Sequence, residues 1–306
     1  MGNERGRRHG AASVLLAAIQ LAAATGHHTH AWQLPHTLVP FFERQGHWHD
    51  FAATHHTALA ATQHHADQQG QAHAHLGIGE ARARFGGLDE ARPHLWHALR
   101  LFEELGDQAG QSHVHTLLGM TSHTQERYGE ALTHMQQAVT LARAHGDYPR
   151  GLAAALNSLG WVHALLGNTQ QAFTYSEQSL ALFRDLGDRW GEAAALDSIG
   201  YAHHRLGRHQ QAVSYFEQVL AIDQELGDLY CQATDYDRIG DAHHAAGDTT
   251  QARHAWQLAL DILDQLRDVP RPGPDYAEPA AIRAKFRQHA DPAAAPPGLA
   301  DRRPAP

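Results

Sequence analysis

An aspartate returns along this chain at Asp67, Asp107, Asp147, Asp188, Asp228 and Asp268, at spacings of 40, 40, 41, 40 and 40 residues. A glycine column (Gly79, Gly119, Gly160, Gly200, Gly240) and an alanine column (Ala91, Ala131, Ala172, Ala212, Ala252) keep the same register. All three columns share one insertion, just after Asp147, around Tyr148, Pro149 and Arg150. Such a repeat constrains the fold strongly. A unit of this length cannot bury its apolar face alone, so neighbouring units must stack.

Each column has a local physical reading. Leu-Gly-Asp at 105–107, 186–188 and 226–228 ends one helix on a glycine and offers an aspartate to cap the next. Gly200 and its equivalents sit inside apolar-periodic segments, where glycine costs about 1 kcal/mol against alanine. Their recurrence predicts close approach of a partner helix, with the alanine column making the complementary contact. Gly86, Gly167, Gly207 and Gly247 form the turn between the two helices, and Glu126 takes that place once.

The units therefore read as antiparallel helix hairpins at about 68–107, 108–147, 148–188, 189–228 and 229–268, with a divergent unit at about 30–67. That unit keeps a turn at Gly46 but carries Pro35 and Pro40, which predicts a bent or short first helix. Residues 1–29 supply a preceding helix or cap, and 30–268 form the array. Residues 269–306 form a linker, a short capping helix over 280–289 and a disordered Pro/Ala-rich tail. Arg5, Arg7 and Arg8 before the apolar run Ala11–Ala24 also allow a signal-peptide reading. That run is too short to span a bilayer, and a helix ended by Gly26 accounts for it equally well.

Composition excludes several function classes. The formal charge of −9 leaves no basic surface to follow a phosphate backbone, so direct nucleic-acid binding is not expected. Cys231 is the single cysteine, which rules out an internal disulfide and a cysteine-based zinc site and suits a cytoplasmic location. It shares a column with Gly70, Gly110, Gly151 and Gly191, and reads as a small residue at a tight helix start.

Aligned on the glycine column, Asp197-Ser-Ile-Gly-Tyr-Ala-His-His-Arg-Leu-Gly-Arg-His-Gln-Gln-Ala-Val-Ser-Tyr-Phe216 resembles the tetratricopeptide (TPR) pattern: glycine, tyrosine, turn glycine, alanine, aromatic. The resemblance covers about 30–268, with a period longer than the roughly 34 residues of the simple repeat. His163, His203 and His243 stand where that family usually has tyrosine. It implies an all-α, right-handed superhelical solenoid of helix hairpins. The segments His30-Ala-Trp-Gln-Leu-Pro, Gln45-Gly-His-Trp-His-Asp50, Gly200-Tyr-Ala-His-His204 and Gly240-Asp-Ala-His-His-Ala-Ala-Gly-Asp248 resemble more narrowly the C-terminal repeats of actinobacterial SARP-type/NB-ARC regulators. The chain carries no G-x-x-x-x-G-K-[ST], so ATP or DNA binding does not follow from that likeness.

The tetratricopeptide resemblance also implies where a ligand would lie: on the inner face, at fixed offsets from the column glycine. Those offsets select Asn157 and Trp161; Asp197, Tyr201, His204 and Arg205; and Asp237, Asp241 and His244 as a peptide-binding groove. Trp161 and Tyr201 occupy equivalent positions in adjacent units, giving an aromatic strip beside Asn and Asp. The clamp that some such domains use for a C-terminal carboxylate needs lysine and asparagine here. This groove is acidic and favours a cationic or amide-rich partner.

Catalysis and metal binding find no support. The 28 histidines include doublets at 27–28, 55–56, 64–65, 203–204 and 243–244, but adjacent helical residues point about 100° apart. No His pair has i,i+4 spacing, only 27/30 and 94/97 have i,i+3, and there is no HExxH. The histidines read as partly buried packing and surface composition. Gly77-Ile-Gly79 lies within a helix with no strand before it, and no spacing selects a Ser/His/Asp triad. The chain is expected to be a non-enzymatic protein- or peptide-binding scaffold, the sensor arm of a regulatory system, with no cofactor and no membrane contact. The competing reading is a structural module that self-associates through its outer face or ends.

Overall fold

In a computed structural model, residues 14, 16–37, 48–84, 86–267 and 276–288 are described. Fourteen helices follow one another there, with no strand among the described residues. They are α1 (16–24), α2 His28–Thr37, α3 Trp48–His64, α4 Gln68–Arg84, α5 Leu88–Leu105, α6 Gln108–Thr124, α7 Tyr128–His145, α8 Pro149–Leu165, α9 Thr169–Asp185, α10 Arg189–Arg205, α11 His209–Leu226, α12 Leu229–Ala245, α13 Thr249–Gln265 and α14 Pro279–Gln288. Each even-numbered helix from α4 to α12 packs on its successor as a hairpin, and α6, α8 and α10 also touch in sequence. First helices thus form one layer and second helices the other, the arrangement of a TPR-like solenoid.

The columns do what their chemistry dictates. Asp67, Asp107, Asp188 and Asp228 accept hydrogen bonds from the backbone N–H three residues on, at 2.9–3.0 Å, each cap worth about 1 kcal/mol. Asp147 does not cap α8, which starts instead on Tyr148 with Pro149 at its first position. That is how the extra residue is absorbed. Gly167, Gly207 and Gly247 turn with φ of 75°, 71° and 85°, and Glu126 is forced into the same left-handed region at φ 58°.

The glycine column marks close helix approach. A Cβ on Gly79, Gly119 or Gly200 would lie 2.7 Å from Leu95, Met135 or Phe216, each on the partner helix four residues past a fully buried column alanine. His163 and His203 stack flat on Tyr175 and Tyr215, at 5.5 and 5.3 Å between ring centres. Histidine here replaces tyrosine as a packing plate.

At the N-terminal end, α1 is followed by Gly26 at φ 81°, and α2 is a ten-residue helix containing Pro35. The expected turn at Gly46, residues 270–275 of the linker expected over 270–279, and the expected tail at 291–306 lie outside the described residues. At the other end α14 docks by burying Ile282 and by setting Phe286 under Arg253, whose guanidinium carbon is 4.3 Å from the ring centre.

Candidate protein-binding face

The sequence-selected residues come from the first-helix layer. Trp161 on α8 and Tyr201 on α10 stack directly on each other, ring centres 4.5 Å apart at 30°, both half-buried. Two guanidinium groups frame the stack. Arg238 on α12 lies 5.5 Å from the Trp161 ring centre, and Arg205 lies 6.0 Å from that of Tyr201 and reaches its hydroxyl at 3.4 Å. Asn157, one turn before Trp161, keeps a buried Oδ1 with no hydrogen-bond partner.

The acidic residues are paired by cations two helices further along. Arg238 sits 3.1 Å from Asp197, yet burial still pushes that carboxyl up. Forty residues on, Lys285 of α14 holds Asp237 at 2.8 and 2.9 Å and Asp241 at 2.7 Å. The second Asp241 oxygen accepts from Trp256 Nε1 at 3.1 Å. Burial and Asp241 raise Asp237 while Lys285 opposes them. A cation from two helices further along therefore sits on Asp197 and on the Asp237–Asp241 pair. His204 lies edge-on to His209, its basicity lowered first by burial, and His244 lies 5.8 Å from Trp256.

Sequence offsets missed Arg238 and Lys285, because both act on a neighbouring unit's helix. The signal for Lys285 was present all the same: it is the chain's only lysine. The offsets also missed a cavity of about 170 Å³ beside Asp197 and Arg238, bounded by Trp190, Asp223, Cys231 and Asp235. Burial, with Asp228 and Asp223 nearby, pushes the Cys231 thiol up, so it stays protonated and unreactive. Among the described residues no group of three His, Cys, Asp or Glu side chains has metal-binding geometry, and no helix is long and apolar enough to cross a membrane.

Stacked helix hairpins with a half-buried aromatic stack in the first-helix layer define a repeat scaffold. The tetratricopeptide repeat family model matches residues 70–144, 112–185 and 191–265, and the chain belongs to that family. Comparison with curated proteins finds no match. Among solved structures, the chain is similar to a Rap protein complexed with Competence and Sporulation Factor: TM-score 0.63, 14% identity, 91% of this chain and 80% of that one covered. It is also similar to BtubC from P. vanneervenii, at TM-score 0.55, 17% identity and coverage of 85% and 94%. A third likeness is aspartyl phosphate phosphatase F from Bacillus subtilis, at TM-score 0.57, 15% identity and coverage of 88% and 72%. At these identities the likeness is one of fold.

Proposed function

We propose that the chain is a non-enzymatic scaffold that grips a protein or peptide segment on its inner face, in a regulatory role in the cytoplasm. The observation that carries this is the Trp161–Tyr201 stack, half-exposed on one wall, with the unsatisfied Asn157 Oδ1 one turn away. A bound segment lays apolar side chains against the rings while a backbone N–H donates to Asn157. Membership of a family built for protein contacts supports the reading. The segments that resemble SARP-type regulators give it a regulatory direction. Asp237 and Asp241 belong to the proposed face only where a partner cation takes the place of Lys285.

The test is capture of partners from a host lysate by wild type, Trp161→Ala and Tyr201→Ala, with melting of each. A partner retained by wild type and lost from both variants at unchanged melting temperature supports the reading. Equal retention by all three transfers the function to the outer face or the ends, the self-association alternative. Unfolding of both variants makes the rings core, and also ends the reading.

A further inference from the structure

Asp223 and Asp235 stand where the other repeats keep apolar core. Counted from the alanine column, Asp223 corresponds to Phe102, Ala142, Phe183 and Leu263; counted from the glycine column, Asp235 corresponds to Ala74, Val114, Ala155 and Ala195. The backbones confirm the first equivalence. The Gln232 side chain donates to the Asp223 carbonyl at 3.0 Å as Gln111 does to the Phe102 carbonyl at 3.1 Å. At two of these boundaries the phenyl ring lies over a helix-start glycine, Phe102 over Gly110 and Phe183 over Gly191. Between α11 and α12 the pair is Asp223 and Cys231, and the space the ring fills elsewhere is the cavity of about 170 Å³.

Both carboxyls are 4% exposed. They hydrogen-bond to each other; burial raises both, Asp223 further raises Asp235, and Asp228 and Asp197 raise Asp223 against the bond from Asp235. One oxygen takes no hydrogen bond: Asp235 Oδ2 is buried, on a residue that borders the cavity. Two buried acids at positions that want a methyl and a ring cost stability. A bound group that satisfies them offsets that cost.

We propose that this cavity receives the guanidinium of an arginine side chain from a peptide lying on the inner face. Its dimensions suit that group. At about 30 Å³ per water, the volume equals that of five or six waters, room for the planar head and its first methylenes. The head's N–H groups meet Asp235 Oδ2 and the Asp223 carboxyl in the forked geometry that an ammonium cannot match. Trp190 supplies a flat wall, and Ala193 and Val219 line the apolar remainder. A hard divalent cation is the poorer fit, because it demands six or more converging oxygens. Two arginines border the cavity, Arg84 and Arg238, and the second is committed elsewhere: it pairs with Asp197 and lies over Trp161. Arg238 and Asp197 join the cavity to the aromatic strip. Binding makes the carboxylates the favoured form, so the proton shared by the acid pair is released to buffer.

Only the source of the guanidinium rests on the peptide-binding reading, and the test separates the two. The full chain is titrated calorimetrically with N-acetyl-arginine amide, N-acetyl-lysine amide and the neutral isostere N-acetyl-citrulline amide, in buffers of different ionisation enthalpy, and separately with calcium and zinc. Asp223→Phe with Asp235→Ala restores what other repeats carry, and should fold and melt no lower than wild type. Asp235→Asn is the milder second variant. Expected are arginine binding with proton release, at least tenfold weaker binding of lysine and citrulline, and loss of arginine binding in the restored variant. Citrulline binding as well as arginine, arginine binding surviving the restoration, no arginine binding to wild type, or a metal as the ligand would each overturn it. A partner still lost by Trp161→Ala when arginine fails to bind leaves the scaffold reading standing and ends only this subsite.

Discussion

His115 and His134 face each other across the α6–α7 hairpin with Nδ1 atoms 2.9 Å apart. A contact that short holds one proton: one ring donates, the other accepts, and a second proton sets two N–H groups and two charges against each other. Burial, then His134, lowers His115 from 6.5 to about 4. Burial also lowers His134, against the pull of Glu130 and with Arg92 and Arg127 adding to the effect. Trp96 packs edge-on to the His134 ring. His75 and His94 repeat the arrangement one unit earlier, again at 2.9 Å, and burial with neighbouring His94, His97, Arg100 and His56 lowers His75 to about 4.

In the unfolded chain these rings protonate near 6.5, so the unfolded state binds the extra protons as pH falls from there towards 4. Stability present above that window is lost across it. A full shift from 6.5 to about 4 corresponds to about 3 kcal/mol, and residual water contact reduces it to about 1 kcal/mol per pair. The next two repeats supply the test substitution, since they carry Leu156 with Tyr175 and Leu196 with Tyr215 at these positions. Urea denaturation of wild type and of His115→Leu with His134→Tyr is compared between about pH 7.5 and about pH 5. The wild type should lose about 1 kcal/mol more than the variant over that range. Parallel losses would refute the argument.

Glu126→Gly relieves a side chain held at φ 58° where other units use glycine, and should raise stability by about 0.5–1 kcal/mol; an unchanged or lower urea midpoint counts against it. Gly160→Ala should cost about 1–2 kcal/mol, because its Cβ would meet the Ala172 carbonyl oxygen and the Ser176 amide nitrogen at 3.1 Å. Gly119→Ala meets the pliable tip of Met135, so it should stay within about 1 kcal/mol of wild type; equal losses would show that backbone rigidity is not the difference. Lys285→Met strands Asp237 and Asp241 and should loosen α14 by about 1 kcal/mol, read as faster amide exchange there and over α12. Unchanged protection in α14 would mean its apolar contacts alone hold it.

Whatever repeats locally was legible in the sequence. Helix stops, aspartate caps, the positive-φ turn and the close helix approach at the column glycine depend on residues within one hairpin, although the side chain that meets the glycine is the one four residues past the column alanine. The positions of Trp161 and Tyr201 followed from the same register. Their direct stacking did not, because the separation of two first helices is set by how whole hairpins settle on one another. The same offset between units decides that Arg238 answers Asp197 and Lys285 answers Asp237, interactions between residues 41 and 48 apart. Asp223 and Asp235 lie between these cases. Their departure from apolar columns is written in the sequence, but only packing reveals that both departures meet at one boundary, around one cavity, leaving a carboxyl oxygen unpaired. A column fixes which face a side chain takes; which neighbour it meets there depends on backbone distances that no single repeat encodes.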